Sequence, residues 1–409
     1  MSNGEWGKPI AHHPSPITHH PSPGSSPITH HQPLRIALVR QRYTAFGGAE
    51  RFVERAMQAL SAQGAQMTIV TRNWPGNGSN RALICNPFHL GNLWRDWSFA
   101  RCVCQTLQAH DFDLVQSHER IACCDVYRAG DGVHREWLKQ RQRTLGAVGK
   151  LGIALNPYHR YVLAAERKLF ASPRLQAVIC NSRMVKQEIR DYFGVAEEKL
   201  HVIYSGVDTA AFHPGLKALH REPLRAQYAI PHDAPLFLYV GSGFARKGLA
   251  ALLQALAELP PEAHLLVVGK DRKAAAFEAM AARLGIAQRV HFAGAQQDVK
   301  PFYGAADAFV LPTLYDPFPN VALEASACGL PVITSNKSGA AELVENGKNG
   351  FVCDALDIGG LAAAMTHLLN PDSATAMGAA ARDAVAPYHL EAMGENLLAL
   401  YRRLLATTG

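Results

Sequence analysis

The sequence contains no apolar run long enough for a membrane-spanning helix. About 18 consecutive apolar residues are needed to cross a bilayer, and no stretch of the chain reaches that length. The beginning of the chain also lacks the charged and then apolar pattern of a secretory signal. These two absences predict a protein that stays in the cytoplasm.

Cysteine is absent from the spacings that create structural metal sites. The 8 cysteines are scattered along the chain, many of them within apolar runs. Cys102 and Cys104, like the adjacent Cys123 and Cys124, do not have the paired spacing of a zinc ligand set. We therefore expect buried, reduced thiols, as is usual in a cytoplasm.

Length and composition predict two domains. A chain of 409 residues, of which 48% are apolar, can bury two sizeable cores. Residues 1–33 are an exception, because this tail repeats HHPSP and is too rich in His, Pro and Ser to bury much surface. We expect the tail to be disordered, either as a non-functional extension or as an adventitious metal binder.

Apolar runs and helical periodicity alternate from Leu34 to the C-terminus. Continuous apolar runs predict strands, and apolar residues at helical spacing predict the helices between them. Strands are expected at Arg35–Val39, Met67–Val70, Asp113–Gln116, Ala177–Cys180, Val202–Tyr204, Leu236–Val240, Ala263–Val268, Arg289–Phe292, Ala308–Leu311, Val332–Thr334 and Phe351–Cys353. This alternation is typical of an α/β fold with parallel sheets covered on both faces. A polar stretch from Ser205 to about Pro235 is consistent with a linker between two halves.

Residues 311–334, LPTLYDPFPNVALEASACGLPVIT, have the pattern of a binding loop. An apolar strand ends, a loop with Asp316 follows, and a helix that Asn320 can cap runs over Val321–Cys328. The N-terminus of this helix would lie at the carboxyl end of the strand, where free N–H groups favour a phosphate. The carboxylates of Asp316 and Glu324 can accept hydrogen bonds from sugar hydroxyls. An ordinary strand, turn and helix of a parallel sheet is the alternative.

Those residues resemble the donor-site signature of retaining glycosyltransferase family 4. The shared pattern is acid–Pro–Phe–x4–Leu–Glu–Ala–x2–Cys–Gly–Leu–Pro–Val–Ile, and the resemblance extends over nearly everything from Leu34 onward. It implies the GT-B fold, in which two Rossmann-like domains with parallel sheets face a cleft and a C-terminal helix crosses back. The family has glutamates at the positions of Asp316 and Glu324, so the first acid is shortened here. Pro319 replaces a glycine of the family and removes an N–H from the loop.

Two further loops contain groups that the resemblance places at the sugar nucleotide. Gly47 and Gly48 follow the first strand, and glycines there let the backbone approach a ligand closely. Residues 241–248, GSGFARKG, follow the first strand of the second half. Arg246 offers planar multidentate donors and Lys247 a compact charge, a combination suited to a diphosphate. Cations are electrostatically misplaced at a helix start, which favours an anionic partner over a merely solvated turn.

His118 and Asp131 follow predicted strands of the first half, where ligand groups gather in open α/β sheets. Members of the family often have a His near the donor sugar at this point, and the lipopolysaccharide glucosyltransferases have an Asp in the region that faces the acceptor. A buried polar histidine and a turn aspartate before Gly132 are the alternatives. Asp111 and Asp113 have the outward form of a metal-binding DxD but are better explained as the start of a strand. No metal or cofactor is expected, because basic residues take the leaving-group charge in GT-B transferases.

Residues 134–170 form the most basic segment of a chain whose formal net charge is +7. Basic side chains alternate there with Trp137, Tyr158 and other apolar residues, a pattern suited to an anionic membrane surface. A solvated helical insertion is the alternative. Nucleic acid is not expected as a partner, because no recognition motif accompanies the charge.

The resemblance implies a hexosyltransferase that uses a UDP-sugar, with glucose as the expected sugar. The acceptor would be a membrane-borne glycan, and the order of FGGxxR, GxxFxRKG and the basic segment looks most like the lipopolysaccharide core glucosyltransferases. Residues 34–208 would form the acceptor-side domain, residues 209–388 the donor domain and residues 389–409 the crossing helix. The protein would act in the cytoplasm, peripherally on the inner membrane.

The resemblance also implies a role for each donor-binding group. Arg246, Lys247 and the amides of Asn320, Val321 and Ala322 would stabilise the departing diphosphate. Glu324 would hold the ribose, and Asp316 the hydroxyls of the sugar. No residue is expected to act as a covalent nucleophile. A same-fold sugar-nucleotide epimerase and a catalytically silent, membrane-associated binding protein are the alternative functions.

Overall fold

The structure, a computed structural model, describes residues 34–42, 65–74 and 81–406. The tail of residues 1–33 lies outside this part of the chain. So do residues 49–63, whose apolar residues at helical spacing predict a helix. The described residues belong to one compact unit. It contains two parallel sheets with helices around them, as the α/β alternation predicts.

The first sheet contains seven parallel strands in the order β3-β2-β1-β4-β5-β6-β7. The strands are β1 Arg35–Val39, β2 Gln66–Thr71, β3 Arg81–Ile84, β4 Leu114–Ser117, β5 Val126–Arg128, β6 Ala177–Cys180 and β7 Leu200–Val202. The order reverses between β1 and β4, because β2 and β3 extend in one direction and β4 to β7 in the other. The carboxyl ends of β1 and β4 therefore form the crevice where doubly wound sheets bind ligands.

Two of the described helices of the first half begin at side chains that cap them. The described helices are α1 Gly91–Gln108, α2 His134–Gln142, α3 Ala147–Leu155, α4 Pro157–Phe170 and α5 Arg183–Phe193. The Asn156 side chain accepts from the Tyr158 N–H at the start of α4, and the Ser182 side chain accepts from the Val185 N–H at the start of α5. The basic segment of residues 134–170 is thus a helical insertion made of α2, α3 and α4.

The second sheet contains six parallel strands in the order β10-β9-β8-β11-β12-β13. The strands are β8 Leu236–Val240, β9 His264–Val268, β10 Val290–Gly294, β11 Ala308–Leu311, β12 Val332–Ser335 and β13 Gly350–Cys353. The sequences LFLYV of β8 and AFVL of β11 are buried along their whole lengths, as expected for strands covered on both faces. The order reverses between β8 and β11, so the second ligand-binding crevice lies at their carboxyl ends.

The helices of the second half complete this doubly wound arrangement. They are α6 Leu216–Gln227, α7 Leu249–Ala257, α8 Ala274–Arg283, α9 Lys300–Ala305, α10 Asn320–Ala327, α11 Ile358–His367, α12 Pro371–Val385 and α13 Leu390–Ala406. None of the helices in the described ranges combines the length and the apolar character that crossing a bilayer requires.

The C-terminal helix α13 packs on the first sheet and not on the second. Its buried face contains Met393, Leu397 and Tyr401, which form one apolar cluster with Ile36 and Leu38 of β1. Since α13 follows the second sheet in the chain, it crosses back to the first half. This confirms the fold that the resemblance implies, including the crossing helix.

Several elements were not expected from the sequence, among them two strands and a helix. Strand β3 has the mixed sequence RALI at the sheet edge, and β5 has only three residues, the last of which is Arg128. Neither contains the apolar run that identifies a buried strand. Helix α6 occupies the expected linker despite Pro223 in its interior, and it buries Leu216, Leu224 and Arg225. The stretch before β8 is therefore packed structure and not a simple linker.

The expectation that all cysteines are reduced is wrong at one pair. Cys104 of α1 forms a disulfide with Cys123 in the loop after β4, with 5.8 Å between their Cα atoms. Cys102 and Cys124 are free thiols, as are Cys85 and the cysteines of the second half. The sequence did not indicate this pairing, because the two cysteines belong to different elements and only the packing of the loop after β4 against α1 brings them together.

Candidate functional site

The basic turn and the acidic loop of the second half meet at the reversal point of the second sheet. Residues 241–248 follow β8, and residues 312–319 follow β11, which pairs with β8. Leu314 donates its N–H to the carbonyl oxygen of Arg246 at 2.9 Å, and the Thr313 hydroxyl donates to the same oxygen at 3.2 Å. The two loops are therefore bonded to each other through their backbones.

A glycine makes this approach possible. Gly248 has φ +79°, and a Cβ atom on it would lie 1.8 Å from the carbonyl oxygen of Pro312. Any side chain at this position would force the turn away from the end of β11. The final glycine of GSGFARKG thus holds Arg246 and Lys247 against the acidic loop.

Asp316 is the direct partner of both cations. The Lys247 ammonium donates to Oδ2 of Asp316, and Nη1 of Arg246 lies 3.4 Å from the same oxygen. Nη1 of Arg246 also donates to the carbonyl oxygen of Tyr315 at 3.1 Å. Lys247 is therefore not a solvated helix-start cation: only 11% of its side chain is exposed, compared with 39% for Arg246.

Burial and charge act in opposite directions on this cluster. Burial alone would raise the pKa of the Asp316 carboxyl, but the charges of Lys247 and Arg246 and their hydrogen bonds lower that pKa below its ordinary value. Burial lowers the pKa of the Lys247 ammonium, and Asp316 opposes this effect. The carboxylate is thus held in its ionised form at neutral pH.

The backbone of Asp316 is fixed by the loop after β12. Its N–H donates to the carbonyl oxygen of Lys337 at 3.0 Å, and its own carbonyl oxygen accepts from the Gly339 N–H at 2.9 Å. Three loops, following β8, β11 and β12, therefore converge on this one aspartate.

Helix α10 begins one residue earlier than expected, and Asn320 does not cap it. Asn320 is its first residue, and Pro319 occupies the N-cap position without a side-chain cap bond. The proline explains the shift, because its φ of −76° suits entry into the helix and it has no N–H that needs a partner. Asn320 and Val321 are partly exposed and Ala322 is buried. The N–H groups of Asn320 and Val321 are among those that an α-helix leaves without intrahelical partners, whereas the Ala322 N–H donates to the carbonyl oxygen of Pro319 at 3.0 Å.

Glu324 lies one turn inside α10 and has a partner that the sequence did not indicate. The Tyr303 hydroxyl donates to Oε2 of Glu324 at 2.9 Å and lies 3.3 Å from the carbonyl oxygen of Val321. Tyr303 belongs to α9, far from the motif in sequence. It fixes the Glu324 carboxylate in a largely buried position.

The first half contacts the acidic loop through Tyr315. Its hydroxyl donates to Oε2 of Glu188 at 2.7 Å and accepts from the Val133 N–H at 2.9 Å. Gly132 has φ +67°, and a Cβ on it would lie 2.2 Å from the Tyr315 hydroxyl oxygen. The loop that contains Asp131 is therefore pressed against the residues on both sides of Asp316.

Ion pairs strengthen this contact between the halves. The Lys337 ammonium lies 3.0 Å from Oε1 of Glu136 and 3.1 Å from Oε1 of Glu188. The Glu342 carboxylate accepts from the N–H groups of Arg183 and Met184 at 3.0 and 2.7 Å, at the start of α5. A carboxylate is favourable at a helix N-terminus. These partners are all far apart in sequence, and no local pattern could have identified them.

His118 and Asp131 have different environments. His118 is buried just beyond β4, with Nε2 at 3.2 Å from the Gln116 amide nitrogen. Burial first, and then the charges of Arg128 and Arg40, hold the pKa of its imidazole well below the ordinary value. Asp131 is 66% exposed, with Oδ2 at 3.6 Å from Nη1 of Arg120.

The other residues that the sequence analysis considered as ligand groups do not belong to the cluster around Asp316. Gly47 and Gly48 lie outside the described residues. Asp113 directly precedes β4 and accepts from the Arg35 N–H at 2.7 Å, in agreement with a strand start. Within the described ranges, no group of three or more His, Cys, Asp or Glu side chains is placed to hold a metal ion.

Two family models match this chain, and each covers one half. The model for glycosyltransferase family 4 matches residues 46–211, and the model for glycosyl transferases group 1 matches residues 220–384. The lipopolysaccharide glucosyltransferase WaaG of Escherichia coli K12 is 28% identical over 323 residues, which are 78% of this chain and 84% of that protein. A D-inositol 3-phosphate glycosyltransferase 2 of Catenulispora acidiphila is 30% identical over 323 residues, 73% of this chain and 69% of its own length.

Solved structures share the same architecture. The crystal structure of WaaG, described as a glycosyltransferase involved in lipopolysaccharide biosynthesis, matches with a TM-score of 0.77 at 24% identity over 89% of this chain and 99% of that one. The structure of HepE of Anabaena in complex with UDP and glucose matches with a TM-score of 0.68 at 21% identity over 90% and 99%. With its two doubly wound sheets, its family 4 segment and its group 1 segment, the chain belongs to the GT-B glycosyltransferases.

Proposed function

We propose that this glycosyltransferase transfers glucose from UDP-glucose to a lipid-borne glycan such as the lipopolysaccharide core, with retention of the anomeric configuration. The observation that carries the proposal is the buried cluster of Arg246, Lys247 and Asp316 beside the N-terminus of α10. The kinship with a lipopolysaccharide glucosyltransferase and the UDP and glucose bound by a GT-B neighbour support the choice of substrates. In this proposal residues 209–388 form the donor domain, residues 34–208 the acceptor-side domain and residues 389–409 the crossing helix.

The diphosphate would bind where positive charge is already concentrated. Arg246 is partly exposed and Lys247 is nearly buried beside it. The amides of Asn320, Val321 and Ala322 add the partial positive charge of a helix N-terminus. Fixed cations and amides in a site from which water is excluded stabilise a departing diphosphate without reorganising during the reaction. This arrangement supplies the leaving-group stabilisation that other transferases obtain from a bound metal.

The two carboxylates would orient the two sugars of the donor. Glu324, held by the Tyr303 hydroxyl, would accept from the ribose hydroxyls. Asp316, which Lys247 and Arg246 keep ionised, would accept from hydroxyls of the glucose. Because Asp316 is one methylene shorter than the family's glutamate, its contact with Lys247 sets how far the carboxylate extends into the cleft.

The acceptor hydroxyl would approach from the first half. The Asp131 loop is packed against Tyr315, the neighbour of Asp316, so its exposed carboxylate lies on the acceptor side of the acidic loop. His118 would contribute a neutral imidazole near the donor sugar, since burial disfavours its charged form. We assign no covalent nucleophile, and the leaving phosphate would accept the proton of the attacking hydroxyl on the same face. Gly47 and Gly48 would complete the site from the loop after β1.

A lipid-borne acceptor requires the enzyme to reach a membrane surface. Helix α3 exposes Val148, Leu151 and Leu155, whose exposed fractions are 87%, 59% and 67%. These side chains belong to the basic insertion of residues 134–170, so apolar and cationic groups occur on one surface element. Such a combination binds anionic lipid surfaces peripherally. We therefore propose peripheral attachment to the cytoplasmic face of the inner membrane.

The test is a transfer reaction followed at both substrates. The purified protein is incubated with UDP-glucose labelled with carbon-13 and with lipopolysaccharide from a strain with a truncated core, without added metal. We expect mass spectrometry to show the addition of one labelled hexose and NMR to show an α-linked product. A β-linked product would refute retention, and dependence on added divalent metal would refute the role of the cations.

Two other results would point to the rival functions. Conversion or hydrolysis of UDP-glucose at the same rate with and without lipopolysaccharide would indicate an epimerase or hydrolase. Binding of UDP-glucose without any turnover would indicate a silent binding protein. Either result overturns the transferase proposal while leaving the fold unaffected.

A further inference from the structure

A cavity lies in the first half, between helices α1 and α4. Its volume is about 510 Å³, and the residues Arg120, Ile121 and Ala122 after β4 form one of its walls. Cavities of this size accommodate small ligands. We refer to it as the α1–α4 pocket. It contains none of the residues assigned above to the sugar nucleotide.

The pocket is lined by three cations and by no acid. Arg101 of α1, Lys168 of α4 and Arg120 contribute to its surface, and every other lining residue is uncharged. In the part of the chain that the structure describes, Arg101 and Lys168 form no ion pair. An excess of positive charge around a concave surface favours an anionic ligand.

Two acids adjoin the lining residues. Glu166 pairs with Arg120, and Asp96 has partners outside the pocket. The carboxylate of Glu166 accepts from Nε of Arg120 at 2.9 Å and from the His134 N–H at 2.8 Å. Asp96 accepts from the Tyr158 hydroxyl at 3.0 Å and from Nε of Arg95 at 2.7 Å. Neither carboxylate belongs to the pocket lining, so neither neutralises Arg101 or Lys168 there.

The uncharged part of the lining suits a sugar. Trp97 and Tyr161 contribute aromatic surface, and Gln105 and Gln108 contribute amides that can donate to or accept from hydroxyls. The guanidinium of Arg101 lies over the Trp97 ring, 6.0 Å from its centroid, which holds the cation at the pocket wall. Aromatic faces, amides and cations together match a saccharide that has a phosphate or carboxylate group.

Arg120 connects the pocket to the acceptor side of the cleft. It lines the pocket, while its Nη1 lies 3.6 Å from Asp131 and its Nη2 donates to the carbonyl oxygen of Gly132 at 3.2 Å. Gly132 is the residue packed against Tyr315 of the acidic loop. Arg120 therefore links the pocket to the loop of Asp131 and Gly132, which contacts the acidic loop.

We propose that the α1–α4 pocket binds an anionic sugar of the acceptor glycan, with Arg101 and Lys168 as its specificity-determining residues. The proposal rests on the proposed function and deepens it, because it defines the acceptor as a glycan with a phosphate or carboxylate near the reacting hydroxyl. Trp94 and Trp97 are 39% and 47% exposed, and Trp97 lines the pocket. Their exposed rings could contact further sugars of the same glycan.

The test compares two double variants of equal charge. Arg101→Gln with Lys168→Gln removes both pocket cations. Arg283→Gln with Lys348→Gln removes two exposed cations of the second half that lie outside the basic insertion and do not line the pocket. Initial rates are measured with UDP-glucose and truncated-core lipopolysaccharide, used intact, after dephosphorylation with hydrofluoric acid, or after reduction of its carboxyl groups.

We expect the pocket variant to raise the KM for the intact acceptor by about tenfold or more, because charged hydrogen bonds are lost. The kcat and the KM for UDP-glucose should stay close to those of the unmodified protein. The control variant should leave the acceptor KM within about twofold. One of the two treated acceptors should abolish the difference between the pocket variant and the unmodified protein, and so identify the anionic group.

Three outcomes would overturn the proposal. A loss of binding to vesicles containing phosphatidylglycerol by the pocket variant, together with a raised KM that persists for both treated acceptors, would assign the cations to lipid headgroups. No change in the acceptor KM would assign them no role in acceptor binding. A lower kcat at an unchanged acceptor KM would indicate a structural effect on the cleft.

Failure of the proposed function is recognised separately. If the unmodified protein transfers nothing, the pocket is tested by saturation-transfer NMR with glucose 6-phosphate and, as a neutral control, glucose. We then expect glucose 6-phosphate to bind the unmodified protein and the Arg283→Gln, Lys348→Gln variant, but not the pocket variant. Equal signals from glucose and glucose 6-phosphate would overturn the proposal independently of any turnover.

Discussion

Each half of the molecule contains a cluster of basic side chains, and the two clusters differ in their partners. In the second half, Arg246 and Lys247 share the carboxylate of Asp316. In the first half, Arg101 and Lys168 line a cavity that contains no acid. In the first cluster one largely buried carboxylate is shared by two cations, whereas the second presents its charge to solvent.

The difference indicates what each cluster has to accomplish. A cation that must act in a transition state benefits from being held in one geometry, and a buried ion pair provides that geometry before the ligand arrives. A cation that only selects a substrate needs an accessible charge and tolerates a mobile side chain. The comparison therefore predicts large catalytic effects from the second half and binding or stability effects from the first.

The largest effect is expected from Lys247→Met. Removing a preorganised charge that stabilises a leaving group lowers turnover by about 100- to 1000-fold. The same change leaves Asp316 buried with Arg246 alone, at 3.4 Å, so the free energy of unfolding should fall by about 3 kcal/mol. Initial rates with UDP-glucose and urea unfolding of the same preparation measure the two quantities.

The control for this variant separates stability from catalysis. Lys247→Met combined with Asp316→Asn removes both charges of the pair and should recover much of the lost stability, but none of the turnover. Lys348→Met removes an exposed lysine, 65% exposed beside Glu345, and should change neither quantity. Turnover near that of the unmodified protein in Lys247→Met would contradict the catalytic role of the second-half cluster.

The sequence predicted the fold and the second-half cluster well, for a physical reason. Strands buried on both faces must be continuous apolar runs, so β1, β8 and β11 were visible as such. Parallel strands that flank a reversal point end at the same edge of the sheet. The loops after β8 and β11 therefore had to meet, and the charged residues 246, 247 and 316 with them.

The first-half pocket and the contacts between the halves could not be predicted in this way. Their partners are brought together by packing and not by local pattern: Tyr315 meets Glu188 and Cys104 meets Cys123. From the sequence alone, Arg246 and Lys247 looked like misplaced cations, because a sequence separation of 69 between Lys247 and Asp316 conceals the ion pair. Helix α6 was missed because Pro223 has the appearance of a helix breaker.

The disulfide provides the next largest effect and tests the rigidity of the pocket. Cys104 lines the pocket, and Cys123 follows the wall formed by residues 120–122, so the bond joins two of its sides. Closing a loop with a sequence separation of 19 should stabilise the protein by about 3 kcal/mol. We expect Cys104→Ser with Cys123→Ser to lower the free energy of unfolding by this amount and to raise the acceptor KM.

Cys102→Ser is the matched control for the disulfide. Cys102 lies in the same helix and has a free thiol, so its substitution should not abolish the response of the unmodified protein to dithiothreitol. Unfolding should become easier in dithiothreitol for the unmodified protein and for Cys102→Ser, but not for the double variant. Peptide mapping that finds both Cys104 and Cys123 as free thiols would contradict the bond.

Mild acid should weaken the first half while leaving the second-half cluster intact, and this is the smallest effect of the series. Burial first, and then the charges of Arg120 and His159, lower the pKa of the His134 imidazole from its ordinary value to about 3 in the folded protein. Below the unfolded pKa the unfolded chain binds a proton that the folded protein does not, so stability falls as the pH decreases from 7 to 5. The Asp316 carboxylate of the second-half cluster behaves differently, because its pKa is lowered in the folded protein. Its stabilising contribution therefore persists between pH 7 and pH 5, and is lost only as the pH falls through the lowered pKa of Asp316. We expect His134→Asn to lose roughly 1 kcal/mol less unfolding free energy than the unmodified protein between pH 7 and pH 5. Parallel pH profiles for His134→Asn and the unmodified protein in urea would show that the environment around Arg120 does not oppose a further positive charge, and would remove the electrostatic distinction between the two clusters.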